Sequence, residues 1–224
     1  MSRFLALLLA GMASPALAGG TATIESTGAG PSGAGMKQAM EVSWQNDSTV
    51  RLDPQGQPSY MLVREDAGYS ITNAGGQLMV LEMSSIQSMA QSAGAQGPQA
   101  PSVANVESVA SIEATGREET VAGITGEVYE IHWTGPDGES HVDEAVLSDN
   151  PLLREMSAAF EAFGTVLSGD KGDHPMNEAL ESRGLATLRF GDRYRVSSLS
   201  DETPPDSHFE LPAEPMQLGT GFGQ

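Results

Sequence analysis

Strict alternation of side chains is the strongest constraint this chain carries. From Met36 onward, Met36, Gln38, Met40, Val42 and Trp44 share one parity, and Lys37, Ala39, Glu41, Ser43 and Gln45 share the other. A period of two sustained over that length is a strand with one buried face. A helix would scatter the same apolar positions around its axis. Turn formers then punctuate the chain. Asn46-Asp47-Ser48 leads into Thr49–Asp53, and Pro54-Gln55-Gly56-Gln57-Pro58 leads into Ser59–Glu65. Asp66-Ala67-Gly68 and Ala74-Gly75-Gly76 separate Tyr69–Asn73 and Gln77–Met83. Separators this short make hairpins, so the pattern predicts an antiparallel meander.

The rhythm changes after Met83. Ser84–Ala93 has helical spacing, with Ile86 and Met89 on one side. The segment 94–105 is rich in Gly, Pro, Gln and Ala and reads as a mobile linker. Strands are expected again at Val109–Thr115, Glu118–Val121, Gly126–Thr134 and Glu139–Ser148. Asn150 then caps a helix that starts on Pro151. Its apolar residues Leu152, Leu153, Met156, Phe160, Phe163 and Val166 recur at 3.6-residue spacing. A short helix at Pro175–Ser182 and strands at Gly184–Phe190 and Arg193–Leu199 complete the pattern. The fold class this predicts is mainly β (α+β), a curved antiparallel sheet or half-barrel packed on one principal helix.

Arg3, the apolar run Phe4–Ala10 and the small residues Ala16-Leu17-Ala18 have the form of a cleavable secretory signal peptide over 1–18. Its removal leaves roughly 200 residues, enough for one domain with its own core. The expected organisation is a flexible lead-in over 19–35, a single β-rich domain over 36–212 and a disordered tail over 213–224. No cysteine occurs in the chain, which excludes disulfides, thiol catalysis and a lipid anchor at the cut. The net charge of −19 opposes nucleic acid and anionic membrane surfaces. Together these features predict a soluble, exported protein with no membrane-spanning segment, in the periplasm or secreted to the medium.

The segment Thr115-Gly116-Arg117-Glu118-Glu119-Thr120-Val121-Ala122-Gly123 precedes a strand bearing Tyr129, and Phe209-Glu210-Leu211-Pro212 lies in an extended terminal segment. With the early meander, these stretches resemble the uncharacterised exported bacterial family known as domain of unknown function 4412, over Met36–Pro212. Gly126 or Glu127 stands where members often carry a cysteine, and Ala145 where they often carry a tryptophan. More distantly, the layout resembles the half-barrel carriers that shuttle lipoproteins or lipids across the periplasm. That likeness implies a concave apolar surface and supplies no catalytic residues. The family resemblance, with the missing lipid anchor, favours the periplasm over the medium.

Two of the four histidines flank one turn. An even loop puts Glu130, His132, His141 and Asp143 on one face, where two imidazoles and a carboxylate suit zinc or a similar ion. An odd loop with a glycine bulge slips the register by one and turns His132 away from His141. Apolar matching favours the even loop, because Tyr129, Ile131 and Trp133 then share a face with Val142 and Val146. Pro136-Asp137-Gly138 favours the bulge. His132, His141 and Asp143 are the candidate metal ligands, and a solvated polar face is the plain alternative. Asp170-Lys171-Gly172-Asp173-His174 lacks the acidic spacing of a calcium loop. No G-x-S-x-G, P-loop or dinucleotide fingerprint occurs. The adjacent pairs Glu118-Glu119 and Asp143-Glu144 point to opposite sides of their strands and make no ready acid–base couple.

Apolar binding is the remaining reading. Methionine is frequent, at 11 residues, and its flexible side chain suits either an irregular core or an adaptable cavity. Met40, Trp44, Met61, Met79, Met156 and Phe160 are the candidate lining of a concave sheet beneath the late helix. The sequence thus predicts a binding or envelope-maintenance module without catalytic activity or cofactor. Its partner would be a hydrophobic small molecule, a lipid or an envelope protein. The alternatives are a metal-binding protein or metal-assisted hydrolase built on the hairpin cluster, and a purely structural envelope protein.

Overall fold

The computed structural model describes residues 19–29, 35–46, 48–92, 106–168 and 174–216. The leader at 1–18, the linker at 94–105, the loop residues Asp170–Asp173 and the tail past Met216 lie outside the described residues.

Six strands come first: β1 (Gly20–Ala29), β2 (Gly35–Asn46), β3 (Thr49–Pro54), β4 (Ser59–Arg64), β5 (Ala67–Ala74) and β6 (Gln77–Glu82). Helix α1 (Met83–Ser92) follows them. The second series is β7 (Ser108–Val121), β8 (Ile124–Thr134), β9 (Ser140–Ser148), helices α2 (Pro151–Ser168) and α3 (Pro175–Glu181), then β10 (Ala186–Phe190) and β11 (Tyr194–Ser200). The eleven strands form one sheet in the order β6-β5-β4-β3-β2-β1-β11-β10-β9-β8-β7, with antiparallel neighbours throughout. The first meander walks outward from the centre to one edge. The second begins at the opposite edge and walks back to pair with β1.

The first correction concerns that junction. Gly20–Ala29, the larger part of the expected flexible lead-in over 19–35, is a central strand, hydrogen-bonded to β2 on one side and β11 on the other. Its small residues are a packing requirement. Gly20 lies opposite Trp44, and a Cβ there would come within 2.6 Å of the Ser200 carbonyl and 2.7 Å of the Trp44 ring. Gly68 is the second correction. It was read as part of a turn, but the turn is Glu65-Asp66, both at positive φ, and Gly68 belongs to β5. There it admits Met83 of α1 and Val166 of α2, each 3.2 Å from where its Cβ would be. The third is β7, a single strand bulged between Ala114 and Glu118, with Gly116 at φ +72. Bulges at this and four other places in the ladders bend the sheet.

Helix α2 packs on the sheet as its spacing requires. Asn150 Oδ1 accepts the Leu153 amide at 3.1 Å and caps its start. Leu153, Met156, Ala159 and Phe163 are buried against Ala22, Ile24, Val42, Trp44, Leu52 and Val196. Two further clusters flank this core. One gathers Ile131, Trp133, Ala145, Leu147 and Phe190 under Leu180 of α3. The other seats Phe209 on Leu62, Ile71 and Val80. The interior is therefore divided, and several strands are buried on both faces: Ala145, Val146, Leu147 and Ser148 are consecutive and all buried. Residues 213–216, expected to belong to a disordered tail, are placed against the sheet: the Met216 amide donates to Val80 O at 2.8 Å and Met216 bridges Leu81 at the β6 edge.

Gly20→Ala should force the Trp44 ring or β11 to shift, an overpacking cost of about 1–3 kcal/mol. Thermal denaturation should show a lowered midpoint together with altered tryptophan emission. An unchanged midpoint would mean that the close approach at Gly20 is not what selects glycine.

Candidate functional site

A crevice of about 440 Å³ opens between α2, α3 and the start of β10. Met156, Phe160, Leu180, Leu185 and Ala186 give it an apolar lining, with Tyr194 among the residues that wall it. The helix geometry explains this placement. Met156 and Phe160 lie one turn apart on α2, and α3 crosses nearby with Leu180 turned inward to the second cluster. Tyr194 packs against both the central and the second cluster, and burial pushes its phenol pKa up, so it stays neutral. Arg154, Glu155, Glu161 and Glu181 also border the crevice. The arrangement offers an apolar slot with mixed charge around it.

Of the six apolar candidates, only Met156 and Phe160 reach this crevice. Trp44 is buried in the central core, and Met40 and Met61 pack against it. Met79 is half-buried outside the three clusters. The physical reason is that α2 fills the sheet's concavity with its own stripe. Leu153 and Phe163, each at most 1% exposed, pack directly against the central cluster.

The metal candidates are not assembled either. His132 pairs with Val142, and His141 with Trp133, so the two imidazoles project from opposite faces of the hairpin. His132 Nε2 lies 2.9 Å from Glu130 Oε1. Asp143 shares the His141 side, but it accepts hydrogen bonds from Trp133 Nε1 at 2.8 Å and Arg193 Nη2 at 2.5 Å. The loop is odd because Gly138, at φ +79, takes the left-handed conformation and Gly135 N closes onto Glu139 O. Apolar matching does not enforce the even register, since Val128 and Val146 join one buried cluster while Ile131, Ala145 and Leu147 join another. His174 stands at the start of α3 and makes no side-chain cap.

An ion-pair network emerges that the residue spacing did not announce. Arg189 Nη2 donates to Glu119 Oε2 at 2.9 Å and to Glu144 Oε1 at 2.8 Å. Arg117 also pairs with Glu144, and Arg195 reaches Glu119 at 3.4 Å. The network ties β7, β9, β10 and β11 together. It occupies one member of each adjacent carboxylate pair noted in the sequence. The visible signal was the Thr115–Gly123 segment, but its partners lie some 70 residues away on β10 and β11.

No protein-family profile matches the chain, and no curated protein matches it. The likeness to domain of unknown function 4412 therefore stays with the short segments that suggested it. Among solved structures, the chain is similar to a LolA superfamily protein from Nitrosomonas europaea, with 10% identity over 86% of this chain and 90% of that one and a TM-score of 0.35. Among the described residues, no helix is long and apolar enough to cross a membrane.

Hydrogen bonds, from Arg189 to Glu119 and from Arg117 and Arg189 to Glu144, hold both carboxyls below their usual value. A depressed folded-state pKa stabilises the fold fully above the unfolded-state value near 4.5, and that stability is lost as pH falls through the depressed range. Arg189→Met removes the cation both groups share. Its urea midpoint should therefore fall less steeply than that of the wild type between about pH 6 and about pH 3. Parallel falls would take the network out of the acid response.

Proposed function

We propose that this chain is an exported, soluble, non-catalytic binding module that takes the apolar part of a small ligand into the crevice between α2 and α3. The crevice carries this reading. Its volume of about 440 Å³ lies within the range of small-molecule sites, roughly 300–1,000 Å³, and the surface it exposes is mainly apolar. Phe160, half-buried, supplies a flat apolar surface to the slot, and Met156, 1% exposed, backs it from the core. The ligand class is a hydrophobic small molecule or lipid chain. The mixed charge bordering the slot suits a ligand that keeps a polar end in water. Export rests on the charged start, apolar run and Ala16-Leu17-Ala18 of the leader, and the absence of a cysteine at the cut favours the periplasm without a lipid anchor.

The test uses N-phenyl-1-naphthylamine, a dye that brightens in apolar sites. The folded chain should enhance its emission in a saturable way. Ala158 lines the crevice from an exposed helical position, so Ala158→Trp fills the slot from outside the core. That variant should weaken dye binding roughly tenfold, on the scale set by about 1.4 kcal/mol of lost contact, with an unchanged unfolding midpoint. A wild-type chain that leaves the dye dark, or a variant that binds it equally well, would sink the proposal.

A further inference from the structure

The tip of the β8–β9 hairpin carries a second arrangement, away from the crevice. The loop Gly135-Pro136-Asp137-Gly138-Glu139 closes through Gly135 N to Glu139 O and Gly138 N to Gly135 O, each at 2.9 Å. This closure brings one ligand atom each of Asp137, Glu139 and His141 within 4.8 Å of the others. Gly135 provides the space in which two of them converge. A Cβ there would stand 2.7 Å from Asp137 Oδ1 and 3.3 Å from His141 Nε2. The imidazole is also held in place, stacked on Trp133 with ring centroids 4.3 Å apart and an interplanar angle of 22°.

The donor atoms are open to a ligand. Among the described residues, none hydrogen-bonds to the His141 ring nitrogens or the Glu139 carboxylate, and Asp137 Oδ1 accepts only the Glu139 amide at 3.0 Å. Arg193, the cation lying over the Trp133 ring, is committed to Asp143. Two neighbouring carboxylates on a chain of net charge −19 repel each other, and among the described residues no ion pair involves either of them.

We propose that Asp137, Glu139 and His141 form an O,O,N site for a divalent cation of the zinc class. The imidazole nitrogen selects against calcium and magnesium, which take oxygen ligands. Zinc bonds of about 2.1 Å in a tetrahedron set ligand atoms roughly 3.4 Å apart. Asp137 and Glu139 are both exposed, so their side-chain torsions close the 4.8 Å span without moving the backbone. Water fills the fourth position. The bound ion ties the loop to β9 and relieves the carboxylate repulsion. His141 is the one member of the set that the sequence singled out; His132 and Asp143 take no part.

The test titrates zinc alone into the folded chain, in competition with a chromophoric chelator. One site per chain is expected. His141→Gln, Asp137→Asn and Glu139→Gln should each weaken it at least tenfold, and Asn still accepts the loop amide bond that Asp137 makes. His132→Gln should leave it unchanged, because that ring projects from the other face. Nickel in place of zinc should quench the emission of Trp133, which a Trp133→Phe variant identifies against Trp44. The absence of wild-type binding, equal affinity in His141→Gln, or an equal loss in His132→Gln would each overturn the assignment. None of these readouts involves the crevice, so this site and the apolar slot stand or fall separately.

Discussion

The apolar stripe of α2 is the contact on which the rest of the structure depends. Leu153, Met156, Ala159 and Phe163 meet side chains from β1, β2, β3 and β11, and the helix also touches β5 and β10. It thereby grips both meanders at once. A curved sheet with its concave side wet would expose Trp44, Val42, Ile24 and Leu52 together, a large apolar patch that water disfavours by about 25 cal/mol per Å². The helix removes that patch, and its outer flank then becomes one wall of the crevice. Stability and the candidate binding slot thus draw on neighbouring faces of the same element.

Much of the fold was legible because period-two and 3.6-residue patterns survive wherever one face of an element is buried. β2, β3 and α2 are of that kind, and their boundaries agree with the pattern to within a residue or two. The readings that failed share a physical cause. Gly20 and Gly68 looked like flexible or turning residues, yet each is small because a neighbour occupies the space beside it. Close approach between elements distant in sequence leaves no local trace. The hairpin register was ambiguous for a related reason. Both faces of β8 and β9 are partly buried, so alternation no longer distinguishes inside from outside, and the turn residues decided the outcome.

The site was legible only in part. Met156 and Phe160 were marked by helical spacing, but Leu180, Leu185 and Tyr194 join them through the meeting of α3, β10 and β11, which no local pattern encodes. Met40, Trp44 and Met61 lie on strands whose alternation also identifies core residues; Trp44 is buried in the central cluster, and Met40 and Met61, partly buried, pack against it. The ion-pair network illustrates the opposite case. Arg117 and Glu119 stood in a segment that attracted notice, while Arg189 lies within the expected strand Gly184–Phe190 with no local pattern to mark it. Only three-dimensional pairing shows that Arg189 holds two carboxylates together.

The central position of β1 bears on how the chain is made. Thr21 pairs with Ser200, so the two halves of the sheet cannot be joined until almost all of the polypeptide has been synthesised. Until then one edge of β1 has no partner, and the α2 stripe lacks Val196 beneath it. Pairings this distant along the chain close slowly, since the entropy of a long loop is lost before the contacts form. A growing chain with this topology therefore keeps β1 half-paired and its central seam open until the last strand has been made.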